Sequence, residues 1–271
     1  MTSAPPAGDL AAVEFVLCDL DGVVWLARQA IPGAPEAIDR LRRGGRRVVF
    51  VTNNSMSVVA DQERALADIG VPAVGDVITS AQAAATLVRP GERVLVCGGP
   101  GVAEALAACG AEPVHDGPAD AVVVGLHQDF DYWRMQAANA AIRGGARFIA
   151  TNDDASYPTP DGPIPGAGAL VAAVATAAGR LPVFAGKPHA PMAQLVRERC
   201  GPSFSDRTAL MVGDRWSTDG LFAAALGCPF ALVRSGVTPP GAAIDATPGA
   251  ARPVVRLDVA DLAAVATRVV A

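Results

Sequence analysis

The sequence predicts an α/β fold: a doubly wound parallel sheet with a second α/β unit inserted into it. Three observations predict it. Short apolar runs alternate with alanine-rich helical stretches along nearly the whole chain. The alternation restarts at about Pro90, after one β-α-β-α-β series has run. Four apolar runs end in polar groups of the kind that gather at the carboxyl edge of a parallel sheet.

The elements follow in order. Val13 to Cys18, broken only by Glu14, reads as a buried strand ending in Asp19-Leu20-Asp21-Gly22. Ala34 to Arg43 reads as a helix stopped by Gly44-Gly45. Arg46 to Val51 is a second buried strand, ending in Thr52-Asn53-Asn54-Ser55. A helix from Val58 to Ile69 follows, with Ser57 as its N-cap and Gly70 past its end. Val77-Ile78-Thr79 leads into a helix at Ser80. In the second series, Arg93–Cys97, Ala121–Leu126 and Ala146–Ala150 are strands. Gly101–Cys109, Tyr132–Arg143 and Ala167–Ala178 are its helices. A Gly/Pro/Asp-rich loop runs from Thr151 to Gly166, a length that is often functional. The first series then resumes with Pro182–Ala185, ending in Gly186-Lys187-Pro188, and helix Ala190–Cys200. Ala209–Val212 ends in Gly213-Asp214-Arg215-Trp216-Ser217-Thr218-Asp219-Gly220, and strands near Phe230–Val233 and Val254–Leu257 with a last helix from Asp261 complete the sheet. Residues 10–80, 81–181 and 182–271 are therefore expected to be the first part of the core, the inserted unit and the second part of the core.

Composition limits the function classes. The chain of 271 residues is 51% hydrophobic and 18% charged, which supports a sizeable core and excludes global disorder. A net charge of -5 argues against a nucleic-acid binder, because such a protein needs a basic face. The arginines Arg40, Arg42, Arg43, Arg46 and Arg47 read as a solvated face. The most apolar window, Gly166 to Gly179, is too short to span a bilayer, so no membrane partner is expected. Cys18, Cys97, Cys109, Cys200 and Cys228 are scattered and odd in number, which suits reduced thiols in a cytoplasm. No basic residue precedes Arg28, so the start does not read as a signal peptide, and Met1 to Gly8 reads as a loose tail.

The four strand ends are chemically coherent. A carboxylate can attack phosphorus and form an aspartyl-phosphate. The phosphoryl group brings about two negative charges. Added to Asp19 and Asp214, that charge requires cations; Lys187 supplies one charge and a Mg²⁺ held by oxygen ligands supplies two. Thr52 and the main-chain N–H after it can hold phosphate oxygens. Asp21 is placed to protonate the leaving oxygen and then to deprotonate the hydrolytic water. A small-molecule phosphate ester is the expected substrate.

Asp19-Leu20-Asp21-Gly22-Val23, Thr52-Asn53-Asn54-Ser55, Gly186-Lys187-Pro188 and Gly213-Asp214-Arg215…Thr218-Asp219 resemble, in order, the four motifs of the haloacid dehalogenase superfamily. The resemblance spans about Phe15 to Leu257 and is nearest to the branch with a large α/β cap, which includes phosphoglycolate, pyridoxal-phosphate, p-nitrophenyl-phosphate and NagD-type phosphatases. Ala150-Thr151-Asn152-Asp153-Asp154…Pro158 and Pro165-Gly166-Ala167-Gly168 also resemble that branch. The resemblance implies a Rossmann-like core and these roles. Asp19 is the nucleophile and a Mg²⁺ ligand. Asp21 is the acid/base, with its carbonyl also on the metal. Thr52, Asn53 and Asn54 bind phosphate; Lys187 offsets charge and contacts the phosphoryl group. Asp214 is a metal ligand, and Asp219 supports the metal indirectly. Asn152 and Tyr157 are candidate substrate contacts in the cap. A homodimer through the cap is implied as well. Dehalogenase members lack the second aspartate, so Asp21 argues for phosphate chemistry. Four positions depart from the pattern: Trp216-Ser217 replaces a smaller or acidic pair, Gly220 replaces an aliphatic residue and is expected to loosen the next helix, and Tyr157 falls where some pyridoxal-phosphate phosphatases carry a histidine.

Rival readings exist. A receiver-like phosphoacceptor also combines Asp, Thr and Lys at strand ends, but it is a shorter chain without an inserted cap. A non-catalytic phospholigand sensor should lose a catalytic carboxylate. Gly98-Gly99-Pro100-Gly101 imitates a dinucleotide fingerprint, but Glu104 occupies the third glycine's place, so a tight strand-to-helix turn is the expectation. His115, His127 and His189 are too scattered for a metal site; His189 follows Lys187-Pro188 and reads as a surface residue. Tyr132-Trp133 reads as helix packing.

Overall fold

The computed structural model describes residues 10–159, 161–242 and 253–271. The expected loose tail at Met1–Gly8 lies outside the described residues. In chain order the strands are β1 Phe15–Cys18, β2 Trp25–Leu26, β3 Gln29–Ala30, β4 Arg47–Thr52, β5 Val77–Thr79, β6 Arg93–Cys97, β7 Glu112–Val114, β8 Ala121–Val124, β9 Arg147–Ala150, β10 Ser156–Tyr157, β11 Ile164–Pro165, β12 Val183–Phe184, β13 Ala209–Gly213, β14 Phe230–Val233 and β15 Val255–Val259. The helices are α1 Ala34–Arg43, α2 Val59–Asp68, α3 Ser80–Ala85, α4 Pro100–Ala108, α5 Tyr132–Arg143, α6 Ala167–Ala178, α7 Ala190–Cys200, α8 Leu221–Leu226 and α9 Leu262–Val269. One sheet runs β15-β14-β13-β1-β4-β5 and another β12-β9-β8-β6-β7. This is the expected α/β fold. By its contacts the chain divides into two compact units, residues 1–51, 65–76 and 197–271 in one and residues 52–64 and 77–196 in the other; these limits differ from those expected at 80/81 and 181/182.

In the first unit, β1 is central and parallel to both neighbours, with Cys18 opposite Val212 and Phe50. Its four residues are buried, as a strand covered on both faces requires. Helix α1 buries Ala34, Ala37, Ile38 and Leu41 at helical spacing and packs on α9. Asp261 caps α9 by accepting from the Ala264 N–H at 2.9 Å. The arginines of the α1–β4 region are tied down. Arg42 donates to the Pro72 carbonyl at 2.6 Å, and Arg47 to the Cys200 carbonyl at 3.1 Å.

In the second unit all strand pairs of the five-stranded sheet are parallel. Leu95, Val122, Val124, Ile142, Phe148, Val171 and Val174 form its core. Each large side chain buried there contributes about 1.5–3 kcal/mol. Asp131 caps α5 through the Arg134 N–H at 2.8 Å, and Thr79 with Gln82 forms a capping box on α3.

The structure corrects one placement. The strand ending in Lys187 was expected in the sheet of β1, so that four functional strand ends would share one edge. Instead β12 pairs with β9, Val183 opposite Ile149, and the ladder continues through the Ala185 N–H to Ala150 O and the Gly186 N–H to Thr151 O. The sequence shows that a strand precedes Lys187; which sheet accepts it depends on which strand lies open beside it. The long loop contains a hairpin, β10 on β11, that its composition did not announce.

Candidate active site

The first unit gathers carboxylates at the carboxyl ends of adjacent strands. Asp19 follows β1 and extends its ladder, its N–H donating to Val212 O at 2.9 Å. Asp214 follows β13 and is 2% exposed; Asp219 is fully buried. One carboxylate oxygen from each of Asp19, Asp214 and Asp219 lies within 4.8 Å of the others. Glycines make this approach feasible. A Cβ at Gly22 or Gly236 would overlap the Asp214 carboxylate, and one at Gly213 would overlap Asp219. Gly22 also has φ +86°, a left-handed conformation that side chains resist. Asp21 stands in the turn beside it, forming a bridge with Trp25, while the Gly22 N–H donates to Trp25 O at 2.7 Å.

Asp219 is held by the turn that carries it. Residues 216–220 form a single π-helical turn, a form common at functional sites. The Arg215 N–H donates to Asp219 Oδ2 at 3.1 Å. Gly220 is the last residue of this turn and the N-cap of α8, with right-handed helical dihedrals, and the Trp216 ring packs over it, edge-on to Phe230. A side chain at 220 would crowd the indole, so the two departures from the family pattern fit each other.

A segment that sequence reasoning missed completes this cluster. After β14, the Val237 N–H donates to Asp214 Oδ2 at 2.5 Å, the Thr238 hydroxyl donates to Asp214 O, and the Ser235 hydroxyl donates to Gly22 O at 2.7 Å. The signal was present: Ser235-Gly236-Val237-Thr238 is one more small, polar strand end.

Three close carboxylates, two of them buried, form an all-oxygen donor set that suits a hard divalent cation such as Mg²⁺ or Ca²⁺. Their close approach concentrates negative charge that a cation offsets, so the donor set fits one on physical grounds.

The second unit holds the other candidates. Thr52, 2% exposed, accepts the Asn54 N–H on its hydroxyl at 3.0 Å. Asn54 Oδ1 accepts from the Met56 and Ser57 N–H groups, a local turn. The side chain of Asn53 faces the main chain of Lys187, which is 1% exposed. Asn152 donates to Asn53 O at 2.8 Å and accepts from the Asp154 N–H at 3.1 Å. Tyr157 lies half-buried in β10. His189 faces Asp153 at 3.1 Å and stacks on Phe184.

The glycine-rich turn before α4 is structural, as expected. Cβ atoms at Gly99 and Gly101 would overlap the 55–57 main chain, and the Gly101 N–H donates to Met56 O. Glu104 accepts the Val59 N–H at 2.9 Å, so it serves the α2 terminus where Ser57 was expected to cap.

Fold and site together define the class: an α/β protein with a cluster of carboxylates at its strand ends that suits a hard cation. Comparison with known proteins agrees. The family models "Haloacid dehalogenase-like hydrolase" and "HAD-hydrolase-like" match residues 16–112 and 184–262. A D-glycerol 3-phosphate phosphatase of Mycobacterium tuberculosis is 41% identical over 243 residues, 87% of this chain and 67% of the relative. The crystal structure of a glycerol phosphate phosphatase from M. tuberculosis in complex with magnesium superposes with TM-score 0.84 and 37% identity, covering 95% of this chain and 78% of that one. A 4-nitrophenylphosphatase of Thermotoga maritima superposes with TM-score 0.84 and 30% identity, covering 95% and 98%. The chain belongs to the haloacid dehalogenase-like hydrolases, in their branch of NagD-like and p-nitrophenyl-phosphatase-like phosphatases.

Proposed function

We propose that this phosphatase hydrolyses small-molecule phosphomonoesters with Mg²⁺ through an aspartyl-phosphate on Asp19. The observation that carries the reading is the clustering of Asp19, Asp214 and Asp219 within 4.8 Å at adjacent strand ends. The Asp19 and Asp214 carboxylates and the Asp21 carbonyl would hold the ion, with Asp219 in indirect support. When bound, the ion supplies positive charge against the phosphoryl oxygens.

In the first step an Asp19 oxygen attacks phosphorus and the ester P–O bond breaks. Asp21 gives its proton to the departing alkoxide. In the second step Asp21, now ionised, takes a proton from water as that water attacks phosphorus. The bond between phosphorus and Asp19 breaks, and Asp19 is regenerated. Lys187 offsets charge on Asp19 and the phosphoryl group. The Thr52 hydroxyl, already accepting from Asn54, retains its proton to donate to a phosphate oxygen; the Asn53 main-chain N–H is the second donor. Residues 81–181, with Asn152 and Tyr157 in the 151–166 loop, select the substrate.

The relative that acts on D-glycerol 3-phosphate makes small polyol phosphates the first substrates to test. The receiver-like and sensor alternatives are not favoured, because the relatives are phosphatases and both Asp19 and Asp21 are present. The reading places the protein in the cytoplasm, with free cysteines and neither nucleic-acid nor membrane partners. No helix among the described residues is long and apolar enough to cross a membrane. It includes a homodimer through the second unit, supported by exposed Leu181 and Val183 near the open edge at β12; light scattering of the purified chain tests this. The decisive experiment for the function is phosphate release from p-nitrophenyl phosphate and a panel of small phosphoesters, with Mg²⁺ and with EDTA. No release with Mg²⁺ present would overturn the reading.

A further inference from the structure

Asn53 has no side-chain N–H left for a substrate. Its Nδ2 donates to Lys187 O at 3.0 Å and to Asp154 Oδ2 at 2.8 Å, which uses both amide protons. Its Oδ1 accepts the Lys187 N–H at 2.8 Å. One amide therefore grips both main-chain groups of Lys187, and reversing it would set oxygen against two acceptors and nitrogen against a donor.

The grip is itself anchored. The Asn53 carbonyl accepts from the Ser80 hydroxyl at 2.7 Å and from Asn152 Nδ2 at 2.8 Å. Gly186, just before the lysine, has no room for a side chain: a Cβ there would overlap Asn53 Oδ1 and Thr151 O. The Gly186 N–H also donates to Thr151 O at 2.7 Å. A buried ammonium on a four-carbon stem acts where its main chain places it, because little space remains for the stem to compensate.

We propose that Asn53 is the positioning residue of Lys187, and that through Asp154 it ties the position of that lysine to the 151–166 loop. This rests on the reading that Lys187 offsets phosphoryl charge. The carbonyl of Lys187 and the carboxylate of Asp154 each take one proton of the same amide group, so together they fix its orientation. A shift of the loop that withdraws Asp154 changes the hold on Lys187 without touching the lysine itself.

The test compares the wild type with Asn53→Asp, Asp154→Asn, Asp154→Ala, the Asn53→Asp/Asp154→Asn double variant and Lys187→Met. It measures kcat and KM for p-nitrophenyl phosphate with Mg²⁺, and hydrogen exchange of the 184–190 segment on the same samples. Asn53→Asp sets a carboxylate oxygen against Asp154 and against Lys187 O, and is expected to lower kcat about 10²-fold, as small misplacements do. Exchange at 184–190 should accelerate with it. Asp154→Asn in that background returns a donor to the pair and should restore roughly tenfold of the rate, a rescue that independent sites do not show. A double variant no faster than the single one overturns the proposal. Should Asn53→Asp fail to fold, Asp154→Ala decides: faster exchange at 184–190 with a lower kcat supports the coupling, and no change in either overturns it. Lys187→Met separates the two levels. Wild-type turnover in that variant would end the charge-compensation reading, whereas its inactivity beside a fully active Asn53→Asp would end only the positioning.

Discussion

The two units use polar side chains in opposite ways. In the first, Asp19, Asp214 and Asp219 converge, and glycines at 22, 213 and 236 clear the space around the last two. In the second, Asn53 bonds to Lys187 and Asp154, Asn152 bonds to the Asn53 carbonyl and the Asp154 N–H, and Asn54 closes a local turn through the Met56 and Ser57 N–H groups. Acidic groups that converge concentrate negative charge and favour a cation beside them. Amides that saturate one another need nothing and give rigidity instead. One unit is thus organised to hold charge, the other to hold geometry.

That contrast can be broken at several points, from the largest effect down. Asp19→Asn removes the attacking oxygen's charge and should reduce turnover of p-nitrophenyl phosphate by roughly 10³-fold or more, with thermal stability retained. Gly236→Ala sets a methyl group against the Asp214 carboxylate and should weaken Mg²⁺ dependence of activity by about 10–100-fold, read from a Mg²⁺ titration. In the second unit the expected damage is to stability. Ile142→Ala in the core of β8, β9, α5 and α6 should cost about 2–5 kcal/mol in urea unfolding, with kcat per folded molecule unchanged. Glu104→Ala leaves the Val59 N–H without this acceptor and should cost about 1–3 kcal/mol.

The smallest effect is on the thiols. Burial pushes Cys97 and Cys228 up to about 12 from an ordinary value of 9.0. A raised thiol pKa favours the neutral form in the folded state, so its contribution to stability is complete below pH 9 and is lost as pH rises toward 12. At pH 8 both thiols should label with Ellman's reagent only on unfolding. Rapid labelling of the native protein would contradict the burial of both strand and loop around them.

Much of the fold was legible because buried parallel strands are continuous apolar runs and their ends are polar. β1, β4, β6, β8, β9, β13 and β14 all announce themselves this way. The Asp19, Asp214 and Asp219 cluster was legible for the same reason: acids at the ends of apolar strands have few structural uses. The amide of Asn53 was not. Its residue type suits phosphate binding and main-chain clamping equally, and only the position of Lys187 distinguishes them. Glu104 likewise looked like a disrupted glycine motif until α2 was placed beside it.

The sequence by itself determined the α/β class and the acids at the ends of its apolar strands, because these depend on local patterns of period and polarity. The tertiary structure alone decided that β12 extends β9, that Ser235–Thr238 embraces Asp214, and that a fully bonded asparagine holds Lys187. Each depends on a partner more than 20 residues away, and local pattern does not specify which distant groups meet.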